Sequence, residues 1–164
     1  MDVDELWDRY EAGERDFRGV NLQAAILEGI ILSGADLSGA ILTEAAIHRS
    51  SLDGVNLSQA DLQRTDLERV DLSDADLSRA NFSQAKLFEV SLDRINLTEA
   101  NLTGASLIQS QLIEANLSRA NLTEVLLFDV DLSQANLIEA ALDGITLENV
   151  NMTATVMPDG TIHD

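Results

Sequence analysis

From Phe17 to Met157 every fifth residue is Leu, Ile, Phe or Met: Leu22, Leu27, Leu32 and onward to Leu147 and Met152, 29 positions in all. A second column runs two residues before these centres, from Val20, Ala25, Ile30 and Ala35 to Val150 and Thr155, and holds only Ala, Val, Ile, Ser or Thr. No insertion breaks either column. On an α-helix a five-residue step turns about 500°, or roughly 140° net, and scatters the centres around the cylinder. On a continuous strand an odd step sends successive centres to opposite faces. Both columns point inward only if the chain turns a corner once per pentad, so the pattern predicts a chain coiled on itself, a β-solenoid.

The outward positions set the size of a coil. Every twentieth residue gives Asp36, Asn56, Asp76, Asn96, Asn116 and Asn136; two places on it gives Ser38, Ser58, Ser78, Thr98 and Ser118. One place further come Arg79, Glu99, Arg119 and Glu139, alternating charges that would pair between neighbouring coils. Four pentads per coil fit these ladders. The array then makes about seven coils, roughly 35 Å long at ~4.8 Å per coil.

The stretches "ADLSG", "ADLQR", "ADLSR", "ANLTG", "ANLSR" and "ANLTE" are repeats of one A(D/N)LXX theme. Residues 15–157 resemble the pentapeptide-repeat family throughout, and the uninterrupted short array with an N-terminal lid is similar to its cyanobacterial members. The resemblance implies an all-β fold, a right-handed quadrilateral parallel β-helix with the centre and the small residue stacked inside. The expected division is an N-terminal helical cap (1–14), the solenoid (15–157) and a C-terminal turn and tail (158–164).

A solenoid exposes core and strand edges at both ends. Val3, Leu6, Trp7 and Tyr10 fall on one face of a short helix over residues 3–12. Asp2, Asp4 and Glu5 favour its N-terminus and Gly13 its stop. It reads as a lid on the first coil. At the other end "TVMPDGTIHD" offers only a turn and a short fold-back, so the last coil is expected to be thinly covered, and to stand open or meet a second copy.

The net charge of −19 opposes direct contact with nucleic acid and with anionic membranes. The start lacks a signal peptide's basic and apolar regions, no run reaches the ~18 apolar residues of a membrane span, and there is no cysteine; a reducing cytoplasm is the expected compartment. Catalysis finds no support. His48 and His163 lie nearly six coils apart, roughly 28 Å, and no histidine stands beside the many serines. No cofactor or metal is expected. Asn-X-Ser/Thr triplets follow from the repeat itself, and the mixed Asn/Ser ladder lacks the uniform threonines of a crystal-binding face.

Two surfaces stand out. Asp61, Asp66, Asp71 and Asp76 put one carboxylate on each side of a single coil, a belt softened in this reading by Arg64, Arg69 and Arg79. Further acids, Asp129 and Asp131 among them, lie in the segment after Arg119, which has no Lys or Arg. The second surface is apolar. Phe88, Ile108 and Phe128 stack at twenty-residue spacing with Leu126 beside them, a strip of the size often used for contacts.

The expected function is a non-catalytic protein-interaction or scaffold module, a monomer or homodimer, with an unidentified protein partner. The resemblance implies a second possibility, because some family members mimic DNA and bind gyrase-type topoisomerases. Residues 15–159 hold 22 acids and nine bases. Over 35 Å that is roughly one net charge per 2.7 Å, against about one per 1.7 Å in DNA. The chain lacks the projecting loops and dimerising C-terminal helix typical of those relatives.

Overall fold

The computed structural model describes residues 1–164. The helix α1 (Val3–Glu11) leads into a four-sided solenoid, one side of which carries seven short strands: β1 (Ile26–Glu28), β2 (Ala46–His48), β3 (Asp66–Glu68), β4 (Lys86–Phe88), β5 (Ser106–Ile108), β6 (Leu126–Phe128) and β7 (Thr146–Glu148). These form one parallel sheet in sequence order, each strand paired with the residues twenty places on. The other three sides stack through single parallel bridges at the same spacing, such as Asp36 with Asn56 and Asn81 with Asn101. The ladder is continuous: the Leu37 amide donates to the Asn56 carbonyl at 2.7 Å, and the Asn56 amide to the Ala35 carbonyl at 2.9 Å.

Every centre from Phe17 to Leu137 is buried, and the small column fills the space between them. The corners explain why five residues suffice. On three sides the amide three places after a centre donates back to that centre's carbonyl, as Ala40 does to Leu37 at 3.0 Å. The residue two places after the centre is left-handed at every corner, from Gly19 (φ 65°) to Ala154 (φ 58°), including charged residues such as Arg79 (φ 59°) and Glu99 (φ 59°). Such a conformation costs roughly 1–2 kcal/mol for a non-glycine residue. Burial of the adjacent leucine, about 1.5–3 kcal/mol, is of the size needed to offset it.

Asp and Asn before the centre have a local task. Asp36, Asn56, Asp76, Asn96 and Asn116 each accept the amide two residues on, at 3.0–3.1 Å, and so tie the corner that follows. On the sheet side this position reads Ile26, Ala46, Asp66, Lys86, Ser106, Leu126 and Thr146, and none makes that bond. There the corner after the strand also lacks the turn bond. Buried Ser50 and Ser110 supply part of it, their hydroxyls accepting the amides of Ile30 (3.1 Å) and Val90 (3.2 Å) one coil away. The two serines of the inward column are therefore hydrogen-bond bridges.

The helix docks on the first coil as a lid. Asp2 caps it by accepting the Glu5 amide at 2.8 Å. Its last residue is Glu11 rather than 12, because the Gly13 amide bonds the Tyr10 carbonyl and the Glu14 amide bonds that of Arg9, a Schellman stop with Gly13 at φ 95°. Leu6 and Tyr10 are buried, and the Tyr10 hydroxyl donates to the Ser33 carbonyl at 2.9 Å. Val3 and Trp7 are half-buried against the same core. At the far end β8 (Thr155–Val156) pairs antiparallel with β9 (Ile162–His163), the fold-back expected from the Pro-Asp-Gly turn. It covers little: Leu147 is 47% exposed, and Leu142, Ile145 and Met152 are only partly buried.

Candidate interaction surface

The sheet side presents two outward columns, and the apolar strip lies in one of them. Phe88 pairs with Ile108, and Ile108 with Phe128, across β4, β5 and β6. Leu126 opens β6 two residues before Phe128. All four are half-buried while the leucine between each pair of outward residues is buried, so they stand outside the core and lean on one another. The strip ends in acids, Glu68 pairing with Phe88 on one side and Glu148 with Phe128 on the other. Lys86, the chain's single lysine, stands beside Phe88 on β4, paired in register between Asp66 and Ser106. With Asp66, Phe88, Ser106 and Ile108 it lines a shallow depression at the edge of the strip.

The acids flanking the strip are already engaged. Glu89 accepts from the Arg69 guanidinium at 2.6 Å, and Asp129 from the Asn149 side-chain amide at 3.0 Å. Each bond spans one coil, so the rim is held by the same stacking that builds the sheet.

The carboxylate belt departs from expectation. Arg64, Arg69 and Arg79 do not soften Asp61, Asp66, Asp71 and Asp76; they pair with Glu44 (2.7 Å), Glu89 (2.6 Å) and Glu99 (2.8 Å). The arginines sit at the left-handed corner position, whose side chains stack on one another from coil to coil, whereas the aspartates occupy a different column turned into the corner. Three of the belt aspartates are turn acceptors: Asp61 takes the Gln63 amide (3.1 Å) and the Thr43 hydroxyl (3.1 Å), Asp71 the Ser73 amide (2.9 Å) and Asp76 the Ser78 amide (3.0 Å). Only Asp66, on the sheet side, is exposed without such a bond. The corner ladder itself is built as the charge alternation requires, with Arg119 reaching Glu139 at 2.7 Å and Glu99 at 4.0 Å.

Asp131 belongs to the same bonded class. Burial opposes its ionisation, but the Ser133 hydroxyl and amide and the Asn151 amide outweigh that and hold its carboxyl below the ordinary range. With Asp129, Gln109, Gln111 and Asn149 it lines a polar hollow at the edge of the sheet. His48 sits on β2 between Glu28 and Glu68 in register, its Nδ1 3.6 Å from Glu28, far from His163 in β9. No group of three or more His, Cys, Asp or Glu is placed to hold a metal ion. No helix is long and apolar enough to cross a membrane.

Comparison with known proteins agrees with this geometry. The model of pentapeptide repeats matches residues 16–54, 50–87, 91–127 and 131–157, in eight copies. The chain belongs to the pentapeptide-repeat family. Among solved structures, a pentapeptide repeat protein from Nostoc PCC 7120 is similar at 37% identity with a TM-score of 0.57, covering 61% of this chain and 80% of that one. One from the Arabidopsis thaliana thylakoid lumen is similar at 34% identity with a TM-score of 0.59, covering 60% of this chain and 69% of that one. QnrB1, a plasmid-mediated fluoroquinolone resistance protein, shares the fold at 19% identity with a TM-score of 0.51, over 80% of this chain and 74% of that one. No curated protein matches the chain.

What the sequence left unread is the special character of the sheet side. Its signal was present: the Asp/Asn position of the repeat is occupied there by Ile26, Ala46, Lys86, Ser106, Leu126 and Thr146. The capping Asp or Asn is missing from six of the seven coils on the side that forms extended strands, more than on any other side, and it is the side that carries the strip.

Proposed function

We propose that this pentapeptide-repeat chain is a non-catalytic interaction module that docks a protein partner on its sheet side through Phe88, Ile108, Leu126 and Phe128. One observation carries the reading. Apolar side chains stack in register on three consecutive strands outside the core, on a solenoid whose other outward positions are mostly polar. Stacked at ~4.8 Å, the strip is a flat target about 10 Å long for an apolar ridge. The acids at its ends, Glu68 and Glu148, favour a partner with basic rim residues, and oppose a second copy meeting face to face. The cysteine-free chain suits a reducing compartment such as the cytoplasm.

A DNA-like acidic surface is the second reading, favoured by the cation-free segment after Arg119. It is weakened where the solenoid's acids are paired with arginines coil by coil. Salt separates the two. Capture from a native extract at low and high ionic strength is expected to survive high salt, because apolar contact is little screened, whereas a DNA mimic loses its partner steeply. Changing Phe88 and Phe128 together to Ser is expected to keep the circular dichroism spectrum and abolish capture. Capture that is lost in salt and indifferent to the double substitution would support the acidic surface instead.

A further inference from the structure

The sheet has an open edge at β7. Within the array each strand is bonded to the coil that follows it. The Gln109 amide donates to the Phe128 carbonyl at 2.9 Å and the Asp129 amide to the Glu148 carbonyl at 3.0 Å. In the other direction the Leu126 amide donates to the Ala105 carbonyl at 3.0 Å and the Thr146 amide to the Val125 carbonyl at 2.8 Å. In the last coil the equivalent groups, the Asn149 amide and the Ile145 carbonyl, have no backbone partner, nor has the Gly144 amide at the corner before β7. The side chains tell the same story. Leu147 is 47% exposed, whereas the six centres stacked beneath it on β1–β6 are at most 3% exposed. The β8–β9 hairpin lies on another side, where Val156 stacks on Asn136, and all of β7 is exposed.

An edge of this kind takes one more strand, and the sheet itself specifies which. Its strands read outward, inward, outward, with an apolar residue in the middle. An added parallel strand would set its middle residue on Leu147, give its first amide to the Ile145 carbonyl and take the Asn149 amide on its third carbonyl. Charge selects that third residue. Arg119 is committed to Glu139, and no Lys or Arg follows it, so Glu148 stands at the edge with no cation above it. On this side opposite charges already stack in register, as Lys86 does on Asp66. A second copy does not meet these requirements. Its opposite end is covered by α1, which blocks head-to-tail stacking, and two C-terminal ends meeting would set Asp143 and Glu148 against the same acids. We propose that the open edge of β7 binds an extended segment of a second protein as one further parallel strand, with a large aliphatic residue on Leu147 followed by Lys or Arg over Glu148.

Amide NMR on the isotopically labelled full chain, titrated with a short capped peptide of core Thr-Leu-Lys, tests this. The Gly144, Leu147 and Asn149 amides are expected to shift saturably while those of Phe88 and Ile108 stay in place, so the result is independent of the apolar strip. Asp in place of the core Leu should weaken binding at least about tenfold. Methylating the core Thr nitrogen, which removes the donor to Ile145, should weaken it about fivefold, and Glu in place of Lys about fivefold at low salt. Leu147→Lys, at an exposed position, is expected to keep the circular dichroism spectrum and melting transition and to abolish binding of the Thr-Leu-Lys peptide. No saturable shift at the three edge amides, equal affinity for the Asp-core peptide, or undiminished binding to Leu147→Lys would overturn the proposal. So would a dimer in sedimentation that Leu147→Lys dissociates, because the edge would then be covered by a second copy.

Discussion

Leu97→Asp is expected to abolish the cooperative fold of the central coils. Leu97 is 2% exposed, with Leu77 and Leu117 at the equivalent positions of the coils on either side. Truncating such a leucine alone costs about 2–5 kcal/mol. An aspartate there adds a buried charge with no cation inside the solenoid, where the centres and small residues are the only neighbours. The total exceeds the ~4 kcal/mol beyond which single substitutions are exceptional. Each coil in a solenoid is held only by its neighbours, so the break falls mid-array and both halves lose a supporting face. Thr98→Ala, one residue away, is the control. Thr98 points outward, its hydroxyl bonding Asn96 Oδ1 at 2.7 Å, and the backbone bond from its amide to the same oxygen survives the change. It is expected to lower the unfolding free energy from urea titration by no more than about 1 kcal/mol. Equal midpoints for the two variants would contradict the buried assignment of the centre column.

Deleting residues 1–12 is expected to have the second largest effect, through association rather than loss of secondary structure. In the lid Leu6 is fully buried in the same core cluster as Phe17 and Leu22, and the Arg9 guanidinium lies over the Phe17 ring at 5.8 Å. Losing the burial that Leu6 contributes forfeits roughly 1.5–3 kcal/mol, and losing Tyr10, with its bond to the Ser33 carbonyl, adds to that. The first coil would then offer an open apolar end with unpaired backbone groups, a template for end-to-end stacking. Sedimentation of the shortened chain should show concentration-dependent oligomers at conditions where the parent shows none from this end. Trp7 is the only tryptophan and packs against the core beside Tyr10, with ring centroids 6.3 Å apart. Its emission in the parent should therefore be blue-shifted and only partly quenched by iodide, and should shift red at a denaturant concentration no higher than the main transition. A fully quenched, red-shifted parent would mean the helix does not dock.

The columns made the solenoid legible because an uninterrupted five-residue register admits no other backbone. The twenty-residue coil was equally legible, since Arg79, Glu99, Arg119 and Glu139 alternate only at that spacing and pair as the spacing requires. Partner choice among charges was not. Arg64 lies three residues from Asp61 in the chain, yet stacks on Glu44 twenty residues away, because side chains in a solenoid meet along the axis more readily than around a corner. Phe88, Ile108 and Phe128 could be placed on one outward column by counting; that this column belongs to the extended side follows from the missing turn-capping residues, which require the structure to interpret.

The docking strip can be tested by blocking it without altering its neighbours. The chain contains no cysteine, so Ile108→Cys provides a unique attachment point at the middle of the strip, and Thr98→Cys one two pentads earlier, on a different side of the solenoid. Each single-cysteine protein is coupled to a bulky maleimide and used to capture partners from a native extract, beside its unlabelled form. Labelling at residue 108 is expected to abolish capture while labelling at residue 98 leaves it intact. Undiminished capture with the label at 108, or loss only with the label at 98, would contradict the sheet side as the contact surface.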